Sequence, residues 1–165
     1  MSKADVNWRQ AVPDETASAA LAGLFARVLA PPCVIYLRGD LGAGKTLFTR
    51  AYIHALGFRG YVKSPSYGLL ETYEVKGQVV LHLDLYRIED PEELEYLAIR
   101  DLFQRNTVLM VEWPERGEPL LPPPDILLEF GETDGSRHIS CRSFTSHGRG
   151  IADKVRANLE KKILE

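Results

Sequence analysis

The chain has 165 residues, of which 45% are hydrophobic and 26% charged, and its formal net charge is −3. This length predicts one domain, and the composition is that of a globular protein with a core. The small negative charge argues against a broad nucleic-acid surface, because such surfaces need clustered Lys and Arg. The first residues lack the apolar stretch of a signal peptide, and no apolar run approaches roughly 18 residues, so we expect a cytoplasmic protein without a membrane span.

The chain opens with a short strand at about residues 6–11 and a helix that runs to about Leu29. Pro13 and the acidic residues after it are typical of the first turn of a helix. Apolar side chains then recur at helical spacing up to Leu29, and Pro31-Pro32 ends the helix because proline cannot continue it.

An apolar strand, 33–37, leads into the pattern Gly-x-x-x-x-Gly-Lys-Thr, and a helical pattern from Thr46 to Leu56 follows it. This context is what a phosphate-binding loop requires, because glycines let backbone N–H groups surround phosphate oxygens at the start of a helix. Lys45 would reach the β and γ phosphates, and the Thr46 hydroxyl would ligate Mg²⁺. A glycine-rich turn that binds nothing is the alternative, but such a turn does not require Lys-Thr next. The predicted nucleotide contacts are Asp40, Leu41, Gly42, Ala43, Gly44, Lys45, Thr46 and Leu47.

Two strand-like runs, Tyr67–Val75 and Gln78–Leu85, follow a polar connection at 58–66 and are separated by Lys76-Gly77. This spacing predicts an antiparallel hairpin with a tight turn. Because such a hairpin is unusual in a purely parallel doubly wound fold, the sequence predicts a mixed sheet.

The second half of the chain combines short helices and strands. Its predicted elements are a short helix capped by Asp90 and ending near Leu97, a turn or helix over 99–105, a strand at 108–112, a second hairpin from 125–130 and 137–144, and a terminal helix, Ile151–Leu164. Together with the loop, these elements predict an α/β fold. The predicted architecture is a single three-layer P-loop NTPase-like domain over 1–165, with a mixed sheet that contains antiparallel hairpins.

Two acidic residues close predicted strands. Asp84 ends the strand that includes His82, and Glu112 ends the apolar strand 108–112. Ligands of open α/β sheets bind at the carboxyl ends of strands, and hydrolysis needs acids that hold Mg²⁺ and orient the attacking group. We therefore predict that Asp84 and Glu112 are catalytic and that both, with Thr46, are metal ligands. A solvated charge that closes each strand is the alternative.

Other polar residues permit two interpretations each. Ser64 and Ser66 lie where many nucleotide hydrolases keep a switch loop, or they form a turn around a proline. Trp113 stacks near the nucleotide, or it packs under the turn that follows. His82 has no second ligand at metal-binding spacing, so we interpret it as a core or near-site histidine.

Several motifs occur in a fixed order along the chain. After the loop come Ser64-Pro65-Ser66-Tyr67, His82-Leu83-Asp84-Leu85-Tyr86-Arg87, Asp90-Pro91-Glu92-Glu93-Leu94 and Glu112-Trp113-Pro114-Glu115. In this order they closely resemble the TsaE (YjeE) family of small bacterial P-loop ATPases. The loop is general to P-loop proteins, whereas His-x-Asp-x-Tyr-Arg and Glu-Trp-Pro-Glu are specific to the family. The resemblance covers about residues 10–142 and leaves the terminal helix, 150–165, outside it.

The resemblance implies a role in the threonylcarbamoyl modification of the adenosine beside the anticodon of certain tRNAs. Family members act there with the partner proteins TsaD and TsaB. The chain would bind ATP and Mg²⁺, hydrolyse ATP weakly alone and faster with its partners, and meet tRNA only through the complex. It would not carry the transfer chemistry itself.

The resemblance also assigns roles to individual residues. Lys45 and Thr46 match the phosphate and Mg²⁺ positions, Glu112 a second Mg²⁺ contact, and Asp84 a Walker-B-like acid. The remaining matches are Ser64 and Ser66 in the switch-like stretch, Trp113 in the Glu-Trp pair, Thr16 near the adenine pocket and Arg137 near the nucleotide. The family more often has threonine where Ser66 stands, so a hydroxyl is kept.

Without the resemblance, the residues also allow two other functions. A stand-alone small-molecule kinase needs an acceptor pocket and an arginine-bearing lid, and the connection after 108–112 is proline-rich and holds only Arg116. A pure interaction module with a structural nucleotide would not need both Asp84 and Glu112.

Overall fold

The computed structural model describes residues 5–65 and 67–164. The strands are β1 (Val6–Ala11), β2 (Cys33–Gly39), β3 (Leu70–Val75), β4 (Gln78–Asp84), β5 (Thr107–Glu112), β6 (Ile126–Thr133) and β7 (Ser136–Ser143). The α-helices are α1 (Glu15–Val28), α2 (Lys45–Ala55), α3 (Ile99–Leu102) and α4 (Ser146–Leu164). Short 3₁₀ helices span Pro91–Leu97 and Pro114–Arg116.

The strands form one mixed sheet in the order β1-β7-β6-β2-β5-β4-β3. The central strand, β2, runs parallel to β5 and β6, and β4 runs parallel to β5. The hairpins β3–β4 and β6–β7 and the pairing of β1 with β7 add antiparallel strands on both sides. The predicted fold class, a three-layer α/β P-loop fold with a mixed sheet and antiparallel hairpins, is confirmed.

Alternation along the strands divides the apolar side chains between two faces of the sheet. On one face, Ile35 and Met110 belong to a core cluster that includes the buried side chains of α1, α2 and α4. On the other face, Tyr36 and Val111 pack with side chains of the 3₁₀ helix 91–97 and of α3. The parallel centre of the sheet is therefore covered on both faces, as parallel strands require.

The parallel register determines which residues meet at the edge of the sheet. Leu37 in β2 pairs with Glu112 in β5, and Glu112 pairs with Asp84 in β4. These three positions lie side by side at the carboxyl ends of their strands. The loop that follows β2 starts at the same edge, so both acids end strands beside it.

Two elements, β3 and α4, begin three or more residues away from their predicted starts. β3 starts at Leu70 rather than Tyr67, because Leu69 has a left-handed φ of +66° and its N–H donates to the carbonyl of Pro65 at 2.7 Å, which closes a turn. α4 starts at Ser146 rather than Ile151. Its first turn is capped by the Thr145 hydroxyl, which accepts from a backbone N–H at 3.0 Å.

The C-terminal helix, α4, covers the sheet beside β1 and β7. Ile151, Ala152 and Val155 are buried against the core. The Trp8 indole N–H in β1 donates to the carbonyl of Ala152 at 3.0 Å, and the Arg156 guanidinium donates to a backbone carbonyl in the same strand. Across residues 5–65 and 67–164, no helix has the length and apolar character needed to span a membrane.

Candidate functional site

The loop between β2 and α2 needs its glycines for two different reasons. Gly42 and Gly44 have left-handed φ values of +80° and +102°, and a Cβ added at either would meet nothing within 4 Å. Glycine is therefore required there by backbone conformation, and the space beside it is open to a ligand. Gly39 instead lies against Phe130, whose carbonyl oxygen would be 2.7 Å from an added Cβ.

The N-terminus of α2 opens onto the same space. Its N-cap is Gly44, which has no side chain to accept hydrogen bonds from the first turn. The first N–H groups of a helix have no partner within the helix, and the helix dipole makes this end positive. The loop and the helix start therefore form an anion-binding arrangement of the kind that holds phosphates.

The Lys45 side chain is folded back over the loop. Its Nζ donates to the carbonyls of Gly39 at 2.5 Å and Asp40 at 2.9 Å, and it lies 4.5 Å from the centre of the Trp113 ring. Burial lowers the pKa of Lys45 from its usual value, although nearby carboxylates act in the opposite direction. A phosphate over the loop would give this buried ammonium group an anionic partner.

Thr46 and Glu112 join the loop to the edge of the sheet. The Thr46 Oγ1 lies 2.8 Å from Oε1 and 2.9 Å from Oε2 of Glu112, so the hydroxyl donates to the carboxylate. Glu112 is 3% exposed. Because a hydroxyl has one hydrogen and two lone pairs, this contact leaves the oxygen of Thr46 free to accept or to ligate a cation.

Asp84 lies beside this pair. It is buried at the end of β4, and its Oδ1 accepts a hydrogen bond from the backbone N–H of Tyr86 at 3.0 Å. This bond fixes the carboxylate against the turn that follows the strand. The strand register sets Asp84 directly beside Glu112, on the side away from β2.

Trp113 packs on the turn that follows β5, and its ring also lies next to Lys45 of the loop. Its backbone is left-handed, with φ +58° and ψ +50°, an uncommon conformation for a bulky residue. Its ring lies 5.1 Å from that of Tyr86, and the Arg116 guanidinium lies over both rings while donating to the Tyr86 carbonyl. The turn after β5 therefore directs the indole over Lys45, and the same turn packs beneath it.

These groups surround a cavity of about 360 Å³, a size typical of small-molecule sites. The predicted residues that line it are Leu41, Gly42, Ala43, Gly44, Lys45, Thr46, Leu47, Asp84, Glu112, Trp113 and Arg137. The structure thus brings together the loop, both acids, the tryptophan and the late arginine.

Four predicted residues have other positions. The side chain of Asp40 is exposed, and only its backbone carbonyl contacts the site, through Lys45. Thr16 is exposed on α1 and lines a separate groove next to α2. Ser64 is not among the residues that line the cavity. Ser66 lies outside the described residues, so its predicted contact stays a prediction.

The cavity also includes residues that the sequence did not single out. They are Val12, Asp14, Glu15, Ser18, Tyr86 and Phe130. Asp14 caps α1 by accepting from the N–H of Ala17 at 2.8 Å, and Ser18 follows it by about one helical turn. Tyr86 belongs to the His-x-Asp-x-Tyr-Arg motif, which was the available signal for it.

The oxygen donors at the cavity fit a magnesium ion. In the described parts of the chain, no group of three or more His, Cys, Asp or Glu side chains is arranged to hold a metal by itself. The cavity instead presents one hydroxyl, Thr46, and two carboxylates, Glu112 and Asp84. Mg²⁺ prefers such oxygen donors and takes its remaining ligands from water and substrate phosphates.

Comparisons with known protein families and sequences agree on one family. The family model described as "Threonylcarbamoyl adenosine biosynthesis protein TsaE" matches residues 12–139. The chain is 41% identical over 147 residues to the tRNA threonylcarbamoyladenosine biosynthesis protein TsaE of Haemophilus influenzae, which covers 86% of this chain and 93% of that protein. It is 38% identical over 117 residues to the protein of the same name from Bacillus subtilis, which covers 71% of this chain and 72% of that protein.

A solved structure gives the same architecture. The crystal structure of Bacillus subtilis YdiB superimposes with a TM-score of 0.79 and covers 96% of this chain and 99% of its own. At 23% sequence identity this likeness bears on the fold alone.

Proposed function

Because this chain belongs to the TsaE family, and so to tRNA threonylcarbamoyladenosine biosynthesis, we propose that it is the ATPase subunit of that pathway. It binds ATP and Mg²⁺ in the cavity at the sheet edge, hydrolyses ATP slowly, and works in a complex with TsaD and TsaB homologues. It contacts tRNA only through that complex and does not transfer the threonylcarbamoyl group. The observation that carries the proposal is the Thr46–Glu112 contact at 2.8 and 2.9 Å beside the buried Lys45.

The loop would bind the phosphates of the nucleotide. Backbone N–H groups around Gly42 and Gly44 and at the start of α2 would surround the phosphate oxygens. Lys45 would exchange its bonds to the carbonyls of Gly39 and Asp40 for bonds to the β and γ phosphates, which are stronger because both partners are charged.

The strand ends would hold the metal and orient the attacking water. Thr46 would be the direct ligand, because its hydroxyl donates to Glu112 and a lone pair remains for a cation. Glu112 and Asp84 would complete the site directly or through water. A Mg²⁺ ion held by these residues would supply the positive charge that phosphoryl transfer needs at the phosphates. The two carboxylates would also accept hydrogen bonds from the attacking water and so fix its direction.

The arrangement of arginines supports slow turnover by the protein alone. Fast phosphoryl transfer on a P-loop depends on a cation that stabilises the charge of the transition state. Among the described residues that line the cavity, Arg137 is the only arginine. Arg116 is stacked on Tyr86 and Trp113. A partner that moves one of these side chains or adds a cation would therefore accelerate hydrolysis.

Phosphate release with and without the partners tests the proposal. Purified protein is assayed alone, with TsaD and TsaB homologues, and as the Lys45→Ala variant with the same partners. We expect turnover alone to be far below the median of about 10 s⁻¹ for enzymes, to rise with the partners, and to fall again in Lys45→Ala. Lys154→Ala, which removes an exposed lysine from α4, is the matched control and should behave as wild type.

Two results would contradict the proposal. One is turnover of the isolated protein at the rate of a typical metabolic enzyme, or transfer of the γ phosphate to a metabolite, since either would indicate a stand-alone enzyme. The other is the absence of phosphate release even with both partners, which would indicate an interaction module.

A further inference from the structure

His82 is a fully buried polar residue whose position stability alone does not explain. It lies on β4 two residues before Asp84, on the same face of the strand, with no exposed surface. Its Nε2 lies 2.6 Å from Oε2 of Glu112. Its Nδ1 is buried and has no hydrogen-bond partner among the described residues.

The contacts of Glu112 determine where the protons lie. An ionised carboxylate can only accept hydrogen bonds, so both Thr46 and His82 must donate to it. The imidazole therefore carries a proton on Nε2, and its buried Nδ1 lacks a hydrogen-bond partner among the described residues. A buried polar nitrogen without a partner lowers stability, so an apolar side chain of this size would suit the core better.

The ammonium group of Lys45 is a second candidate partner for the Glu112 carboxylate. Lys45 and Glu112 line the same cavity, and both are buried. Yet in the described residues no ion pair within 4 Å joins them, and Lys45 bonds to loop carbonyls instead. A glutamate side chain has three rotatable bonds, and the contact with His82 restricts them further than the contact with Thr46 does alone.

We propose that His82 is a positioning residue for the metal site. By donating from Nε2, it holds Glu112 in the rotamer that accepts the Thr46 hydroxyl, and so turns a lone pair of Thr46 toward the cation. It also keeps Glu112 from pairing with Lys45, so that Lys45 need only exchange its bonds to loop carbonyls to meet the phosphates. This inference rests on the proposed binding of Mg-ATP and adds a residue that acts through Glu112.

A matched pair of variants isolates the Nε2 donor. His82→Gln places an amide N–H₂ three bonds from Cβ, as Nε2 is, whereas His82→Met has the same length and ends in a methyl group. The readout is the metal coupling, defined as the ratio of ATP dissociation constants without and with Mg²⁺, measured by titration calorimetry rather than by activity. If His82→Met does not fold, His82→Asn replaces it, because its amide is too short to reach Glu112.

A positioning role predicts a specific pattern. His82→Gln should keep the wild-type coupling within about threefold, and His82→Met should lower it by roughly tenfold, the value of one charge-assisted hydrogen bond. Thr46→Val removes the ligand, so adding His82→Met to it should change the coupling by less than about twofold. If His82 had a purely structural role, His82→Met would instead lower ATP affinity equally with and without Mg²⁺, or would lower the metal coupling as much in the Thr46→Val variant as in wild type.

The outcomes separate this inference from the function it rests on. If wild type shows metal coupling and His82→Met keeps it, the positioning role is wrong and the proposed function stands. If wild type binds no ATP, or binds it equally with and without Mg²⁺, the proposed function fails and the role of His82 fails with it.

Discussion

At the scale of single residues, the site holds charges in an unfavourable place. Lys45, Glu112 and Asp84 are only 4%, 3% and 6% exposed. A buried charge lowers stability by roughly several kcal/mol unless its partners compensate for the lost hydration. Two carboxylates at a phosphate-binding loop also repel the phosphates when no cation lies between them. The fold therefore retains these groups at the expense of its own stability, which favours a ligand-binding role.

Replacing Glu112 with Gln separates its charge from its shape. We expect Glu112→Gln to bind ATP without Mg²⁺ at least as tightly as wild type, because a repulsive charge is gone. The factor by which Mg²⁺ increases ATP affinity should be about tenfold smaller than in wild type, because a metal or water contact is weakened. For the same reason, partner-stimulated phosphate release should fall by about tenfold or more. Calorimetry measures the first effect and a phosphate-release assay the second.

The control for this variant is Glu132→Gln, which makes the same change on an exposed residue of β6. It should match wild type in both assays. Partner-stimulated release by Glu112→Gln at the wild-type rate would show that Glu112 only closes a strand.

Local sequence patterns predicted those site residues whose positions depend only on their own segment of the chain. Lys45 and Thr46 follow from the loop pattern, and Asp84 and Glu112 from the ends of apolar strands. The contact of His82 with Glu112 spans 30 residues and depends on the register of β4 with β5, which a single sequence does not contain. The rotation of α1 likewise decides that Ser18, and not Thr16, faces the cavity.

At the scale of elements, α4 shows how a tertiary contact overrides helix propensity. Its first turns contain Gly148 and Gly150, which weaken the helical pattern and explain why the sequence predicts a later start. Gly148 is buried where a Cβ would lie 2.1 Å from the carbonyl oxygen of Asp125, whereas Gly150 is exposed with nothing within 4 Å. One glycine is required by close packing and the other is not.

The two glycines predict opposite effects of the same substitution. Gly148→Ala should lower the free energy of unfolding by about 1–3 kcal/mol, because the clash with a backbone carbonyl outweighs the gain in helix propensity. Gly150→Ala should raise it by about 0.5–1 kcal/mol. Urea unfolding followed by circular dichroism measures both, and equal changes in the two variants would contradict the packing described for α4.

The sequence predicted both hairpins, although β6 continues to Thr133 where the prediction ended the strand at 130. Short turns at Lys76-Gly77 and Asp134-Gly135 place left-handed residues where hairpin turns need them. The start of β3 was predicted too early because Tyr67 and Leu69 have the apolar character of a strand, while a backbone bond to Pro65 closes a turn there. Composition predicts that a strand exists more reliably than it predicts its first residue.

At the scale of the whole molecule, the sheet brings distant segments to one edge. The central strands β2, β5 and β4 supply the loop, Glu112 and Asp84, while α1 and β7 contribute Ser18 and Arg137 to the other wall. A ligand that bridges these segments binds the folded chain and not the unfolded one, so it should also stabilise the fold. Beyond the matched range 12–139, α4 covers the sheet and packs on β1.

The central claim is that this cavity binds a magnesium nucleotide through Lys45. Titration calorimetry of ATP with Mg²⁺ into wild type, Lys45→Ala and Lys154→Ala tests it most directly. We predict one site on wild type and on Lys154→Ala, and an affinity at least about 100-fold weaker for Lys45→Ala, because two charge-assisted contacts to phosphate are lost. Binding by Lys45→Ala with wild-type affinity would contradict the claim.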